Sequence, residues 1–124
     1  MRVHILLRFA LVLAIGFTAF MALNPNPPHL PLDRRGDQFT HMGAFAVLGG
    51  IARFAFPKAG NWIILERLSF FGALIEVFQA IPALRRTCDW SDWLADTTSL
   101  ALSLAILHLV RQSWTKRKAA PAHR

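Results

Sequence analysis

Charge is what this chain has least of. Only 17% of its residues are Asp, Glu, Lys or Arg, against 54% apolar, and the mean hydropathy is +0.37. A soluble domain usually carries about 25% charged residues, so this scarcity excludes an ordinary soluble fold and points to a membrane protein. Cysteine is nearly absent as well. The lone Cys88 can form no intramolecular disulfide and, without a cysteine partner, builds no thiolate metal site. The long apolar runs lack two-residue alternation, which excludes strands in favour of helices. Neither a Ser-His-Asp arrangement nor a zinc motif is visible, so hydrolase chemistry lacks its usual signatures. Internal repeats and low-complexity tracts are missing too, and the chain reads as one domain over residues 1–124.

What is present is a set of four apolar segments, roughly 3–23, 38–56, 62–81 and 92–110. Each is close to the ~20 residues that a helix needs to cross a ~30 Å hydrocarbon core. The expected fold is an all-α membrane protein with four transmembrane helices in an up-down-up-down bundle. A basic tail over 111–124 follows, expected to fray beyond Val110. Charge placement gives the orientation. With the N-terminus inside, the inner side carries Arg2, Arg8, Arg53, Lys58, Arg67, Arg111, Lys116, Arg117, Lys118 and Arg124. The outer side carries Arg34, Arg35, Arg85 and Arg86. This positive-inside bias predicts that both termini are cytoplasmic. Trp90 and Trp93 then fall at the outer interface, Trp62 and Trp114 at the inner one. The net charge of +7 is therefore read as membrane-facing, with the basic tail on anionic headgroups and no nucleic-acid partner. A cleaved signal peptide is the alternative for the first segment, but Arg8 interrupts its start and its apolar span is long, so it is expected to be retained.

The connections are legible from their breakers. Asn24-Pro25-Asn26-Pro27-Pro28-His29-Leu30-Pro31 cannot be helical, because its prolines fix φ and remove donors. Asp37 follows at or just before the second helix, where a carboxylate caps free N–H groups. The short turn Pro57-Lys58-Ala59-Gly60-Asn61 makes segments two and three an antiparallel hairpin. Ala46 with Gly50, and Ala95 with Ser99 and Ser103, mark close helix contacts.

Polar residues pair within the apolar segments at helical spacing. Asp37 and His41 are i, i+4; Glu76 and Gln79 are i, i+3; Asp92 and Asp96 are i, i+4, so each pair shares a helix face. In the expected bundle all three pairs meet at the outer face, with Glu76 about 7 Å inside the end of its helix. Ionisable groups at such depth are costly and mark function by default. Asp37, His41, Glu76, Gln79, Arg86, Asp92 and Asp96 are therefore the candidate ligand-binding residues. Glu76, Asp92 and Asp96 are the candidates for any catalysis, with Glu76 placed as a general acid or base. The competing reading is structural: Asp37 and Asp92 cap helices, while Glu76, Gln79 and Asp96 hydrogen-bond across the bundle for about 1 kcal/mol each. No cofactor is expected. The acids suit Mg²⁺ or Ca²⁺, but no tight ligand motif is present, so a divalent cation is only the alternative. Arg8 and Arg53 are read as snorkelling to the inner surface, and His4, His29, His108 and His123 as surface residues.

In order, these residues resemble the VanZ-like family of small bacterial membrane proteins. The match runs through Asp37-Gln38-Phe39-Thr40-His41, then Gly72 to Glu76 with Gln79, then Arg86 and Asp92-Trp93-Leu94-Ala95-Asp96-Thr97, and covers roughly residues 33–110. Gln38 stands where the family usually has Lys, and Ser99 where it has Gly, which is expected to loosen that helix contact. Arg85 is a second candidate for the family Arg, although Arg86 has the better spacing to Asp92. The resemblance implies a multi-pass protein of the bacterial inner membrane and a link to the cell envelope and glycopeptide tolerance. Three functional classes follow. One is binding or modification of an envelope lipid or glycolipid headgroup at the outer-leaflet pocket. A second is a non-enzymatic accessory subunit with a membrane-protein partner or a second copy. The third is proton or ion transport as an oligomer. Whether the chain is an enzyme stays open at this point.

Overall fold

The computed structural model describes residues 2–26 and 34–119. The proline-rich connection beyond Asn26 and the end of the basic tail lie outside the described residues, as does the side chain of Asp37. All regular structure in the described residues is helical: α1 (Arg2–Leu23), α2 (Arg34–Ala55), α3 (Asn61–Gln79), a 3-10 turn (Pro82–Leu84) and α4 (Trp90–Ala119). Two of these, α1 and α4, are long and apolar enough to cross a membrane. Helix α2 is made more polar by Gln38, His41 and Arg53, and α3 carries Glu66, Arg67 and Glu76.

Three boundaries differ from the expectation. Helix α2 begins at Arg34, so the backbone of Asp37 lies a turn inside it and is not the residue that caps it. Helix α3 ends at Gln79, because the chain must be extended before Pro82; Ile81 has φ −71° and ψ 119°. Helix α4 continues through the polar tail to Ala119 and does not fray at Val110. Gln112, Lys116, Arg117 and Lys118 are good helix formers, and hydropathy says nothing about where they stop.

Hydrogen bonds between the helices define which ends meet. His4 Nδ1 donates to the Phe54 carbonyl at 3.1 Å, and Arg8 Nε reaches the Ala55 carbonyl at 3.5 Å. Arg53 donates to the carbonyls of Phe56, Pro57 and Ala59. These side chains satisfy carbonyls at the end of α2 and in the turn after it, and for Arg8 and Arg53 that is a firmer role than snorkelling. The start of α1 therefore lies at the end of α2. Along the α2–α4 contact, Ser99 Oγ donates to the Met42 carbonyl at 2.7 Å and Ser103 Oγ to the Ala46 carbonyl at 2.9 Å. Ser99 thus tightens the contact that it was expected to loosen. Along α3–α4, Trp93 Nε1 donates to the Ser69 carbonyl at 3.0 Å, and the hydroxyls of Ser69 and Thr97 share a bond of 2.9 Å.

The core is apolar and close-packed around Phe45, Leu48 and Leu100, each 0–1% exposed. The glycine that admits the α4 helix is Gly49 and not Gly50. A Cβ on Gly49 would lie 2.6 Å from Leu100 Cδ1, whereas one on Gly50 meets nothing within 4 Å. Gly72 plays a similar part on α3, where an added Cβ would lie 3.2 Å from the Phe45 ring and 3.4 Å from Trp93. Outside the core the ordinary pattern is inverted. Leu13 is 73% exposed, Phe70 64% and Ile106 59%, with Phe9, Val47, Val77 and Leu102 in the same condition. Buried among the helices instead are Glu76, Gln79 and Asp96.

Candidate functional site

Glu76, Gln79 and Asp96 are 2%, 4% and 3% exposed, as buried as the apolar core. Burial at this level costs free energy unless hydrogen bonds replace those to water, so partners decide what each group does. Glu76 is held by the backbone. Its Oε2 accepts the backbone N–H of Asp89 at 2.8 Å. Asp89 immediately precedes α4; its Oδ1 accepts the N–H of Ser91 at 2.9 Å and its carbonyl accepts that of Asp92 at 2.9 Å. Glu76 therefore supplies from α3 the contact that a local carboxylate makes in a capping box, and it pins the first turn of α4. Asp89, not Asp92, is the capping residue.

Gln79 joins a different pair of elements. Its Nε2 donates to the Ala22 carbonyl at 2.9 Å, one of the groups left open at the end of α1. The Glu76–Gln79 pair thus ties the end of α3 to the start of α4 and to the end of α1.

Asp96 is different. Its Oδ2 faces His41 Nδ1 at 3.8 Å, beyond good hydrogen-bond length. Its Oδ1 is buried and has no hydrogen-bond partner among the described residues. An orphaned buried acceptor costs about 1–3 kcal/mol, and more when charged. Native proteins retain few such atoms, and each calls for an explanation such as a ligand, an ion or a water. His41 is the more accessible member, with 13% of its side chain exposed against 4% for Asp96. His41, Asp92 and Asp96 all lie within Coulombic range of Glu76, so the structure brings four of the seven candidates to one place. Asp92 sits half-buried in the first turn of α4, where the helix dipole favours a carboxylate.

Gln79 faces α1. Arg86 is half-buried in the loop before α4, after a turn that Arg85 closes in the left-handed region at φ 50° and ψ 33°. Such a conformation is uncommon for a side chain larger than glycine and redirects the chain sharply. The side chain of Asp37 lies outside the described residues. Among the described residues no group of three His, Cys, Asp or Glu side chains is arranged to hold a metal ion.

Sequence reasoning missed Asp89, whose position just before Trp90 and three residues ahead of Asp92 is a helix-start signature. It also dismissed Cys88, which lies half-buried beside Glu76. Burial, then the Glu76 carboxylate, then Asp89 push the Cys88 thiol above its ordinary pKa. Because the thiolate is the nucleophile, alkylation of Cys88 should be slow at mildly alkaline pH, with its rate–pH curve displaced upward. Glu76→Gln should bring that curve back down. Iodoacetamide kinetics followed by mass spectrometry check this; equal curves in both proteins would separate Cys88 from Glu76.

No protein-family model, curated protein or solved structure matches this chain.

Proposed function

We propose that this chain is a VanZ-like, multi-pass protein of a bacterial inner membrane whose Asp96–His41 site binds the polar headgroup of an envelope lipid or glycolipid. In this reading all four helices span the bilayer up-down-up-down and both termini are cytoplasmic. The site then lies beneath the outer interface.

Several observations support the membrane arrangement. The outward apolar side chains on every helix would make a surface far larger than soluble monomers tolerate. The polar groups that lower the hydropathy of α2 and α3 have internal uses: His41 faces Asp96, Glu76 holds Asp89, and Arg53 binds turn carbonyls. At 1.5 Å per residue, the 19 residues of α3 reach about 28 Å, near the hydrocarbon thickness.

The observation that carries the binding reading is the orphaned Oδ1 of Asp96. A side chain retained for packing alone would be expected to have its buried polar atoms partnered, as Glu76 Oε2 and Gln79 Nε2 are by backbone groups. Those same contacts favour the second reading, an accessory subunit whose polar residues only fasten the bundle. Asp96→Asn separates the two, because the amide keeps the shape and removes the charge. Native mass spectrometry of the gently extracted protein should show a retained lipid in the wild type and about tenfold less in the variant, equivalent to ~1.4 kcal/mol. Equal occupancy with unchanged helicity would hand the site to the scaffold reading.

A further inference from the structure

Glu66 and Arg67 are both exposed on α3, and the four-span arrangement gives neither a use. Arg67 belongs to the inner side by its order in the chain, but the register between helices carries its turn into the apolar layer. The hydroxyl bond between Ser69 and Thr97 sets this part of α3 beside a point on α4 seven residues, or about 10 Å, below Trp90. From the other end, Glu66 and Arg67 lie five and six residues beyond Asn61, about 8–9 Å. Both are therefore well inside a ~30 Å hydrocarbon core. Arg67 can stretch its long side chain toward the inner surface, whereas the short side chain of Glu66 cannot. Ionisable groups at such depth pair with one another or face protein, and seldom lipid. Adjacent residues on a helix do not face each other, so Glu66 and Arg67 of one copy are no pair. Neither makes an ion pair or hydrogen bond with another described residue.

The surface around them is regular. Ile63, Phe70 and Val77 are 52%, 64% and 53% exposed and stand seven residues apart, so they form one apolar stripe along α3. At about 100° per residue, Glu66 falls on one flank of this stripe and Arg67 on the other. We propose that a second copy of this chain covers the stripe, the two α3 helices running parallel and each Glu66 pairing with Arg67 of the partner subunit. Symmetry makes the flanks complementary. A twofold axis along the bilayer normal keeps equal residues at equal depth and sets the left flank of one helix beside the right flank of the other. Glu66 then meets the partner's Arg67 on both sides of the stripe, with a height difference of only about 1.5 Å. A lipid tail would cover Ile63, Phe70 and Val77 equally well, but it would answer neither charge. A second copy answers both. The proposal rests on the four-span part of the proposed function and is independent of the Asp96 site.

The test uses the full-length chain, by native mass spectrometry in gentle detergent and by cross-linking in membranes. The wild type is expected to be dimeric. Glu66→Arg and Arg67→Glu should each weaken self-association by at least about tenfold, because every contact between the flanks becomes like-charged. Mixed in equal amounts, the two variants should form a heterodimer at the wild-type level, since each copy then supplies the sign that the other lacks. A merely destabilised fold would not recover on mixing. In a Cys88→Ser background, Phe70→Cys should cross-link to itself on oxidation, while the comparably exposed Leu13→Cys on α1 should not. A monomeric wild type, variants that dimerise as it does, or a complex with a protein of different mass would overturn the second copy. The wild-type result needs no variant, so it decides the matter even if both charge variants unfold. Glu66→Cys in the same background tells two failures apart. Labelling by a water-borne maleimide in opened membranes would put α3 outside the apolar layer, and the four-span reading would fall with the dimer. Protection there, with a monomeric wild type, would remove the dimer alone.

Discussion

His41→Ala is expected to destabilise the bundle by about 3 kcal/mol, because it strips a buried carboxylate of a basic side chain that faces it. The unusual part is the rescue. Asp96→Asn on its own should cost below about 1 kcal/mol, since an amide is buried more easily than a charge and can donate to the imidazole. Added to His41→Ala, it should restore stability, because the charge that had lost its partner is gone. The double variant is therefore expected to be more stable than His41→Ala alone, with a coupling of at least about 1 kcal/mol. Unfolding titrations of the four proteins in one micelle check this. Simple additivity would mean that His41 and Asp96 are neighbours without interaction.

Glu76→Ala is the second large effect, about 2–3 kcal/mol, and its location is as diagnostic as its size. Removing the carboxylate leaves the Asp89 N–H without its acceptor and frees the first turn of α4. Hydrogen exchange should quicken at the amides of Asp89, Ser91 and Asp92, while the amides of α2 keep their protection. Glu76→Gln, which keeps an acceptor oxygen, should lie between wild type and Glu76→Ala. If exchange rises evenly along all four helices, Glu76 is a core residue of the whole bundle and not the anchor of one turn. The localised outcomes would establish the structural use of Glu76, whose Oε2 holds the Asp89 amide.

The residues of the site were legible in the sequence because helical spacing decides which side chains share a face. Asp92 with Asp96, and Glu76 with Gln79, needed only the 3.6-residue period to be paired. Their partners were not legible, because partners depend on how helices cross. Gln79 reaches Ala22 from 57 residues away, and nothing local announces it. The same limit explains Gly49. It and Gly50 are equal as small residues, and only the register against Leu100 makes the former the contact. Helix ends failed for another reason. Hydropathy marks where apolar residues stop, while α2 begins at Arg34 and α4 runs to Ala119 through residues whose helix preference is indifferent to lipid. Cys88 was read as incidental for want of a cysteine partner, yet its surroundings are set by the Glu76 carboxylate.

An outer-leaflet headgroup reaches Asp96 only if the loop before α4 faces outward and the far end of α4 faces the cytoplasm. Thr87 and Ser113 are exposed at those two ends, which makes them suitable reporters in a Cys88→Ser background. Thr87→Cys and Ser113→Cys proteins would be treated in intact cells with a membrane-impermeant maleimide, then again after permeabilisation. The four-span arrangement predicts labelling of position 87 from outside and of position 113 only after permeabilisation. Labelling of position 113 from outside, or protection of position 87 until the membrane is opened, would contradict it.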